Sequence, residues 1–154
     1  MVRILFVCLG NICRSPMAEF VLKEMVHRQG KDAAFFIASA ATSTEETGHG
    51  VHPGTRAKLA KEGVPCGAHT AVQMTAADYA AYDYLLGMDS ANIRNMQRIA
   101  GGDAEHKISR LLAFTAHLRY IADPWYTGNF AATYEDIVEG CTALLAHLAA
   151  QSGF

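Results

Sequence analysis

The residues best suited to chemistry lie near the start of the chain, in the segment Cys8-Leu9-Gly10-Asn11-Ile12-Cys13-Arg14-Ser15. A cysteine thiolate is a strong nucleophile where its surroundings stabilise negative charge. The planar guanidinium of Arg14 presents parallel donors that match two oxygens of a phosphate. The hydroxyl of Ser15 can hydrogen-bond the thiolate and stabilise it as a leaving group. This spacing therefore predicts an oxyanion site with the sulfur of Cys8 at its bottom.

The same loop contains residues that allow a backbone nest, in which successive N–H groups converge on an anion. Gly10 and Asn11 tolerate positive φ, which we expect a tight loop to need if its N–H groups are to converge inward. The loop runs into a predicted helix, whose N-terminal N–H groups and dipole favour an anion. These groups and Arg14 all favour thiolate over thiol at Cys8. A nucleotide-binding P-loop is excluded because the pattern G-x-x-x-x-G-K-[ST] is absent.

A strand and a helix must position this loop. The run 2–7, apolar apart from Arg3 near its exposed start, is typical of a strand in a parallel sheet that is covered on both faces. Ser15 is expected to cap the following helix, with Pro16 at its first position, where proline is tolerated. Gly30 is expected to end this helix. Helical spacing is carried by the apolar residues Val21, Leu22, Met25 and Val26.

Strands and helices alternate along the rest of the chain. Further strands are predicted at residues 35–40, 82–88 and 107–111. Helices are predicted at 53–62, from a capping box at 75–78, from Asp89 or Ser90 to Ile99, and at 134–150. This alternation predicts an α/β fold in which helices cover both faces of a parallel sheet. Such sheets bind ligands beyond the carboxyl ends of their strands, which is where the Cys8 loop lies.

Length and charge limit the partners that the chain is expected to have. With 154 residues and 16.6 kDa, it is expected to form a single domain, residues 1–154. A formal net charge of −2 gives no broad attraction to nucleic acid or to a membrane surface. The apolar runs are too short to cross a bilayer, and the N-terminus lacks the pattern of a signal peptide.

Cysteine and histidine usage predicts neither a metal site nor a disulfide framework. The four cysteines are scattered along the chain rather than placed at ligand spacing. His49 and His52 lie close together, but no set of cysteines or carboxylates completes a metal site around them. We therefore expect a reduced, cytoplasmic protein that uses no cofactor.

The segment Val7-Cys8-Leu9-Gly10-Asn11-Ile12-Cys13-Arg14-Ser15-Pro16 closely resembles the signature of the low-molecular-weight protein tyrosine phosphatases. Later segments extend the resemblance: Ser39-Ala40-Ala41-Thr42-Ser43, Tyr82-Asp83-Tyr84-Leu85-Leu86, Met88-Asp89 and Asp123-Pro124-Trp125-Tyr126. The family implies a flavodoxin-like, four-stranded parallel sheet in the order 2-1-3-4. It also implies metal-independent hydrolysis of phosphotyrosine in proteins or peptides, with inorganic phosphate as product.

The resemblance implies a role for each catalytic residue. Cys8 corresponds to the nucleophile that takes the phosphoryl group, and Arg14 to the clamp on its oxygens. Asp123 corresponds to the general acid that protonates the leaving phenolate and then acts as base for the attacking water. An ordinary aspartate is ionised at neutral pH, so burial or the substrate dianion must favour its protonated form.

The resemblance also implies supporting residues. Leu9, Gly10, Asn11, Ile12, Cys13 and Ser15 form the phosphate-binding loop, and Asn11, Ser39 and His69 hold it in shape. The walls of the substrate cleft are Ile12, Trp125 and Tyr126, with Trp125 in place of a commoner tyrosine. Glu45 stands where better-known members often have an aromatic residue. This change removes one wall and adds negative charge at the rim, so we expect an altered peptide preference.

Cys13 has two interpretations. It packs behind the loop, or it traps oxidised Cys8 as a disulfide that protects the sulfur from irreversible oxidation. The closeness of the two cysteines along a curled loop favours the second interpretation.

Three other functions remain as alternatives. Bacterial arginine phosphatases resemble this family and have the same fold. They tend to carry threonine in place of Ile12 and a smaller residue in place of Trp125-Tyr126. Thiol-dependent arsenate reductases need a closely spaced pair of resolving cysteines, whereas Cys66 and Cys141 are isolated. A non-catalytic phosphate-binding module would be expected to have lost Cys8 or Asp123.

Overall fold

The computed structural model describes residues 1–116 and 119–152. Its strands are β1 (Val2–Cys8), β2 (Phe35–Ala41), β3 (Tyr84–Gly87) and β4 (Ile108–Arg110). Its α-helices are α1 (Arg14–Arg28), α2 (Pro53–Lys61), α3 (Ala76–Ala81), α4 (Ser90–Ala100), α5 (Pro124–Thr127) and α6 (Phe130–Ser152). Short 3-10 turns at Asp32–Ala34 and Leu111–Phe114 precede β2 and follow β4.

The four strands form one parallel sheet in the order β2-β1-β3-β4, as expected. The central strand β1 is apolar on both faces. Ile4 and Phe6 pack in a cluster with residues of α1 and α6, whereas Leu5 and Val7 pack in a second cluster that includes Met96 of α4. Helices therefore cover both faces of the sheet, which explains why residues 4–7 are continuously apolar and buried.

The start of α1 differs from the sequence prediction. The helix begins at Arg14 with Cys13 as its N-cap, so the expectation that Ser15 caps it was wrong. The tight loop ends earlier than expected, which places Ser15 in the first helical turn. There its backbone N–H donates to Cys8 Sγ at 3.4 Å, and its hydroxyl lies 3.0 Å from the same sulfur. The serine contacts the sulfur of Cys8 instead of capping its own helix.

The other boundaries agree with the sequence to within a few residues. The capping box before α3 is confirmed, with the Asp78 carboxylate accepting from the N–H of Thr75 at 2.8 Å, and Asp89 caps α4. The C-terminal helix begins at Phe130 rather than at residue 134. Its early start is explained by Asn129, whose side chain accepts a hydrogen bond from the N–H of Ala132 at 3.0 Å. Within residues 1–116 and 119–152, no helix combines the length and apolar character that a membrane crossing requires.

Candidate active site

The loop between β1 and α1 closes at the carboxyl edge of the sheet, and one residue in it has an unusual backbone. Asn11 has a φ of 59°, whereas Gly10 has no positive φ, so the expectation for Gly10 was wrong. Gly10 instead lies close to the side chain of Glu46, because an added Cβ would be 3.2 Å from Cγ of Glu46. The asparagine alone supplies the left-handed turn, a conformation that asparagine tolerates better than most residues.

Buried hydrogen bonds hold the side chain of Asn11 in this conformation. Its Nδ2 donates to Ser15 Oγ at 2.8 Å and to Ser39 Oγ at 2.9 Å. Its Oδ1 accepts from the N–H of Val72 at 3.2 Å, and its carbonyl oxygen lies 2.8 Å from Nε2 of His69. The structure thus brings Asn11, Ser39 and His69 together. These contacts offset the cost of a positive φ at a residue other than glycine.

The hydrogen bonds continue to a residue that sequence reasoning missed. The hydroxyl of Ser39 donates to Oε1 of Glu19 at 2.6 Å, and Lys23 pairs with the other carboxylate oxygen. Glu19 is buried on the loop side of α1. Its sequence position gives one usable signal, since a glutamate among the apolar residues of an inward-facing helical turn must find a partner.

Cys8 lies at the floor of a cleft of about 110 Å³. The cleft is lined by Cys8, Leu9, Gly10, Ile12, Cys13, Glu45, Glu46, Asp123, Trp125 and Tyr126. Its mouth is formed by two strongly exposed aromatic side chains, with Trp125 57% and Tyr126 76% exposed, while Cys8 is almost fully buried. A substrate that reaches the sulfur must therefore be long and slender.

Arg14 is buried beside Cys8 and is anchored on one side of its guanidinium. Nη1 donates to Oδ2 of Asp89 at 2.7 Å and to the carbonyl oxygen of Ile121 at 3.0 Å. Nη2 lies 3.4 Å from Oδ2 of Asp123. Among the described residues, the buried Nε has no hydrogen-bond partner. Nε and Nη2 can therefore donate together to two oxygens of an anion, while Nη1 fixes the orientation.

The charges around Arg14 keep its guanidinium protonated. Burial alone lowers the pKa of Arg14, but the negative charges of Cys8, Asp89 and Asp123 outweigh this effect and raise the pKa. Asp89 was predicted only as a helix cap. Its position two residues beyond β3, at the carboxyl edge of a parallel sheet, was the signal for a second role.

Asp123 lines the same cleft, although it lies far from Cys8 in the sequence. Its Oδ1 accepts from the N–H of Trp125 at 3.0 Å and so caps α5, with Pro124 at the first position of that helix. The carboxylate also faces Arg14 and remains about one-fifth exposed. One short helix therefore positions both the acid and the aromatic mouth of the cleft.

Cys13 lines the cleft but differs chemically from Cys8. Burial, followed by the nearby charges of Asp123 and Cys8, raises the pKa of Cys13 to about 12. It is therefore a thiol at neutral pH. Burial also raises the pKa of Cys66 and that of Cys141, and all four cysteines are free.

The rim of the cleft is acidic. Glu45 lies on it, as does Glu46, which pairs with His49 at 2.6 Å. No role was predicted for Glu46 from the sequence. The close approach of its side chain to Gly10 instead ties the rim to the phosphate-binding loop.

Comparisons with known proteins identify relatives over nearly the whole chain. The profile of the family described as low molecular weight phosphotyrosine protein phosphatase matches residues 3–153. The low molecular weight protein-tyrosine-phosphatase YfkJ of Bacillus subtilis is 37% identical over 150 residues, covering 96% of each chain. Its crystal structure superposes with a TM-score of 0.94 at 36% identity, over 99% of this chain and 97% of that one.

Two further relatives are informative. The human low molecular weight phosphotyrosine protein phosphatase is 36% identical over 147 residues, covering 92% of each chain. The crystal structure of a Drosophila arginine phosphatase is also similar, with a TM-score of 0.85 at 29% identity, over 94% of this chain and 96% of that one.

Proposed function

The chain belongs to the family of low molecular weight phosphotyrosine protein phosphatases, and we propose that it hydrolyses phosphotyrosine through a phosphocysteine intermediate on Cys8. In this proposal Arg14 binds the phosphoryl oxygens and Asp123 transfers the protons. The substrates are phosphotyrosine-containing proteins or peptides, and the products are tyrosine and inorganic phosphate.

In the first step, the thiolate of Cys8 attacks phosphorus and the bond from phosphorus to the phenolic oxygen breaks. Asp123 gives its proton to the departing oxygen. Asp123 lines the same cleft as Cys8, which supports this role, and the charge of a bound phosphate dianion favours its protonated form. Arg14 and the loop N–H groups stabilise the charge that spreads over the phosphoryl oxygens.

In the second step, Asp123 takes a proton from water, and the oxygen of that water attacks phosphorus. The sulfur–phosphorus bond breaks, and its electron pair returns to Cys8 as thiolate. The contact of 3.0 Å between Ser15 Oγ and Cys8 Sγ supports a role for this hydroxyl in stabilising the departing thiolate. Asn11 donates to the same hydroxyl oxygen, so the hydroxyl proton is available for the sulfur at 3.0 Å or for the more distant carbonyl oxygen of Ala40 at 3.4 Å.

One observation carries the proposal: a buried thiol and a carboxylate line one narrow cleft, beside a buried arginine whose Nε has no partner among the residues that the structure describes. The test is hydrolysis of phosphotyrosine, phosphoarginine and phosphoserine peptides in EDTA, with Cys8→Ser as control. We expect rapid release of phosphate from phosphotyrosine only, and none from the variant. Activity that EDTA abolishes, or that survives in Cys8→Ser, would contradict the mechanism.

Arginine phosphatase activity is the second candidate, because the similar Drosophila structure is named for it. Two features favour phosphotyrosine. Ile12 and the paired aromatics Trp125 and Tyr126 line the cleft with apolar surface suited to a planar ring. Faster hydrolysis of the phosphoarginine peptide in the same assay would reverse this choice.

We also propose a cytoplasmic location. A nucleophile that must remain a reduced thiol is suited to a reducing compartment, and all four cysteines of the chain are free.

A further inference from the structure

His52 occupies a junction between the two loops that build the cleft. Its backbone N–H donates to the carbonyl oxygen of Ile12 at 2.9 Å, which ties it to the phosphate-binding loop. Its Nδ1 accepts from the N–H of Gly54 at 2.9 Å and so caps α2. Because Nδ1 is an acceptor, the ring carries its proton on Nε2 and its orientation is fixed.

The ring of His52 lies between two aromatic side chains from the other end of the chain. It stacks on Phe130, with centroids 5.2 Å apart and planes inclined by 25°. It meets Trp125 edge-on, with centroids 5.6 Å apart and an interplanar angle of 82°. Both geometries belong to the favourable arrangements of aromatic pairs.

Phe130 is itself held firmly, so it gives the histidine a fixed support. It packs against the cluster of Ile12, Cys13 and Ala71 beneath the phosphate-binding loop. It also covers Gly54 so closely that a Cβ at that position would lie 2.4 Å from the phenyl ring. Only glycine at position 54 permits this packing.

Trp125 is more than half exposed at the mouth of the cleft, and its indole packs against the ring of His52. We infer that His52 is a positioning residue for substrate specificity, which holds the indole of Trp125 as a wall for the aromatic ring of the substrate. The kinetic part of this inference rests on the proposed function. The contact itself does not, because Trp125 is the single tryptophan of the chain and its fluorescence reports on the contact directly.

Two substitutions separate the ring contact from the helix cap. His52→Asn keeps an acceptor for the N–H of Gly54 but removes the ring, and asparagine is a good N-cap. His52→Phe keeps a ring but removes the acceptor. His106→Asn is the matched control, since His106 lies on an exposed turn with a positive φ that asparagine tolerates.

For His52→Asn we expect easier acrylamide quenching and lower anisotropy of Trp125. We also expect KM for a phosphotyrosine peptide to rise about 2- to 10-fold, as the loss of one aromatic pair implies. The value of kcat and the inhibition constant of inorganic phosphate should stay unchanged, because Cys8, Arg14 and Asp123 are untouched. His52→Phe should keep the fluorescence and KM of the wild type while lowering Tm.

Unchanged fluorescence in His52→Asn would overturn the inference, and so would changed fluorescence with an unchanged KM. An equal rise in KM for His52→Phe would assign the effect to the helix cap and overturn it as well. If the wild type did not hydrolyse phosphotyrosine at all, the proposed function would fail, and the fluorescence would still decide whether His52 holds the indole.

Discussion

At the scale of single residues, Arg14 and Asp123 each use one part of the side chain to bind the protein and leave another part for a substrate. Arg14 uses Nη1 to bind Asp89 and the carbonyl oxygen of Ile121, which leaves Nε and Nη2 for an anion. Asp123 likewise uses Oδ1 to cap α5, which leaves Oδ2 toward Arg14. Each of these two groups, for which we propose catalytic roles, therefore has one half fixed by the protein and one half available to a substrate, so its geometry is set before a substrate arrives.

Asp123→Asn is expected to slow hydrolysis according to the leaving group. Removing a general acid costs roughly 10²- to 10⁴-fold in rate, and the amide cannot supply a proton. The loss of kcat/KM, which reports the transfer to Cys8, should be large for phosphotyrosine peptides and small for aryl phosphates whose phenols are acidic. Asparagine still caps α5, so Tm should change little. Equal loss on both classes of substrate would contradict the assignment.

Asp89→Asn tests the anchor of Arg14. Asparagine can still cap α4, but the charged acceptor for Nη1 is lost. A hydrogen bond to a charged group contributes about 1.5–3 kcal/mol, so we expect kcat/KM to fall by roughly 10- to 100-fold. Steady-state kinetics measure this loss, and circular dichroism checks the helix. A variant with normal kcat/KM would show that the arginine needs no such anchor.

Peroxide should inactivate the wild type reversibly and Cys13→Ser irreversibly. Oxidised Cys8 can condense with a neighbouring thiol, whereas without one it proceeds to higher oxides. Activity is measured after brief peroxide treatment followed by dithiothreitol. Cys66→Ser is the control and should recover like the wild type. Full recovery of Cys13→Ser would leave Cys13 with a packing role only.

At the scale of secondary-structure elements, the site depends on how closely helices approach their neighbours. Gly140 in α6 shows this most directly. An added Cβ there would lie 2.5 Å from Cγ of Leu111 in the 3-10 turn that follows β4. The absence of a side chain at Gly140 lets α6 pack closely on Leu111, and Asp123 lies between these two elements along the chain.

Gly140→Ala is expected to destabilise the protein. In an exposed helix the same change stabilises by up to about 1 kcal/mol. Here overpacking against Leu111 costs about 1–3 kcal/mol, so the sign is reversed. Urea unfolding measures the free energy of unfolding, with Thr142→Ala on the exposed face of α6 as the control expected to be neutral. A stabilised Gly140→Ala would show that Leu111 moves aside freely.

The sequence predicted which segments form strands and helices better than it predicted the residues at which they begin and end. Apolar runs identified β1, β2 and β3, because a strand covered on both faces is composed mainly of apolar residues. The segment of β4, Ile108–Arg110, gave a weaker pattern. The N-cap of α1 was mispredicted, since local rules favour a serine cap, whereas the sulfur of Cys8 competes for the same hydroxyl. Asp89, Glu19 and Glu46 were missed as parts of the site because their partners lie far away along the chain or at another edge of the cleft.

At the scale of the whole molecule, a weakly negative protein carries a locally acidic cleft mouth. The net charge is −2, yet Glu45, Glu46 and Asp123 all line the cleft, and Arg14 is buried below them. The phosphate of a substrate is attracted by Arg14, whereas the substrate residues beside the phosphotyrosine meet the negative charges of the cleft mouth. Peptides with basic residues beside phosphotyrosine are therefore expected to be preferred.

Glu45→Gln should weaken this preference. We expect kcat/KM for peptides with lysine or arginine next to phosphotyrosine to fall about 2- to 5-fold, the size of an exposed ion pair. Neutral peptides should be unaffected, and the difference should shrink as ionic strength rises. Glu105→Gln, in an exposed turn before β4, is the control. An equal effect on neutral peptides would point to shape rather than charge.

The strand that carries Cys8 has a hydrogen-bonded neighbour on each side, β2 and β3. Backbone amides in such a central strand exchange their protons with solvent only when the entire sheet opens. Asp123 sits on a helix of four residues, which frays far more readily. Gentle warming should therefore leave a molecule that still captures phosphate but turns over slowly, so that catalysis fades before the anion site does.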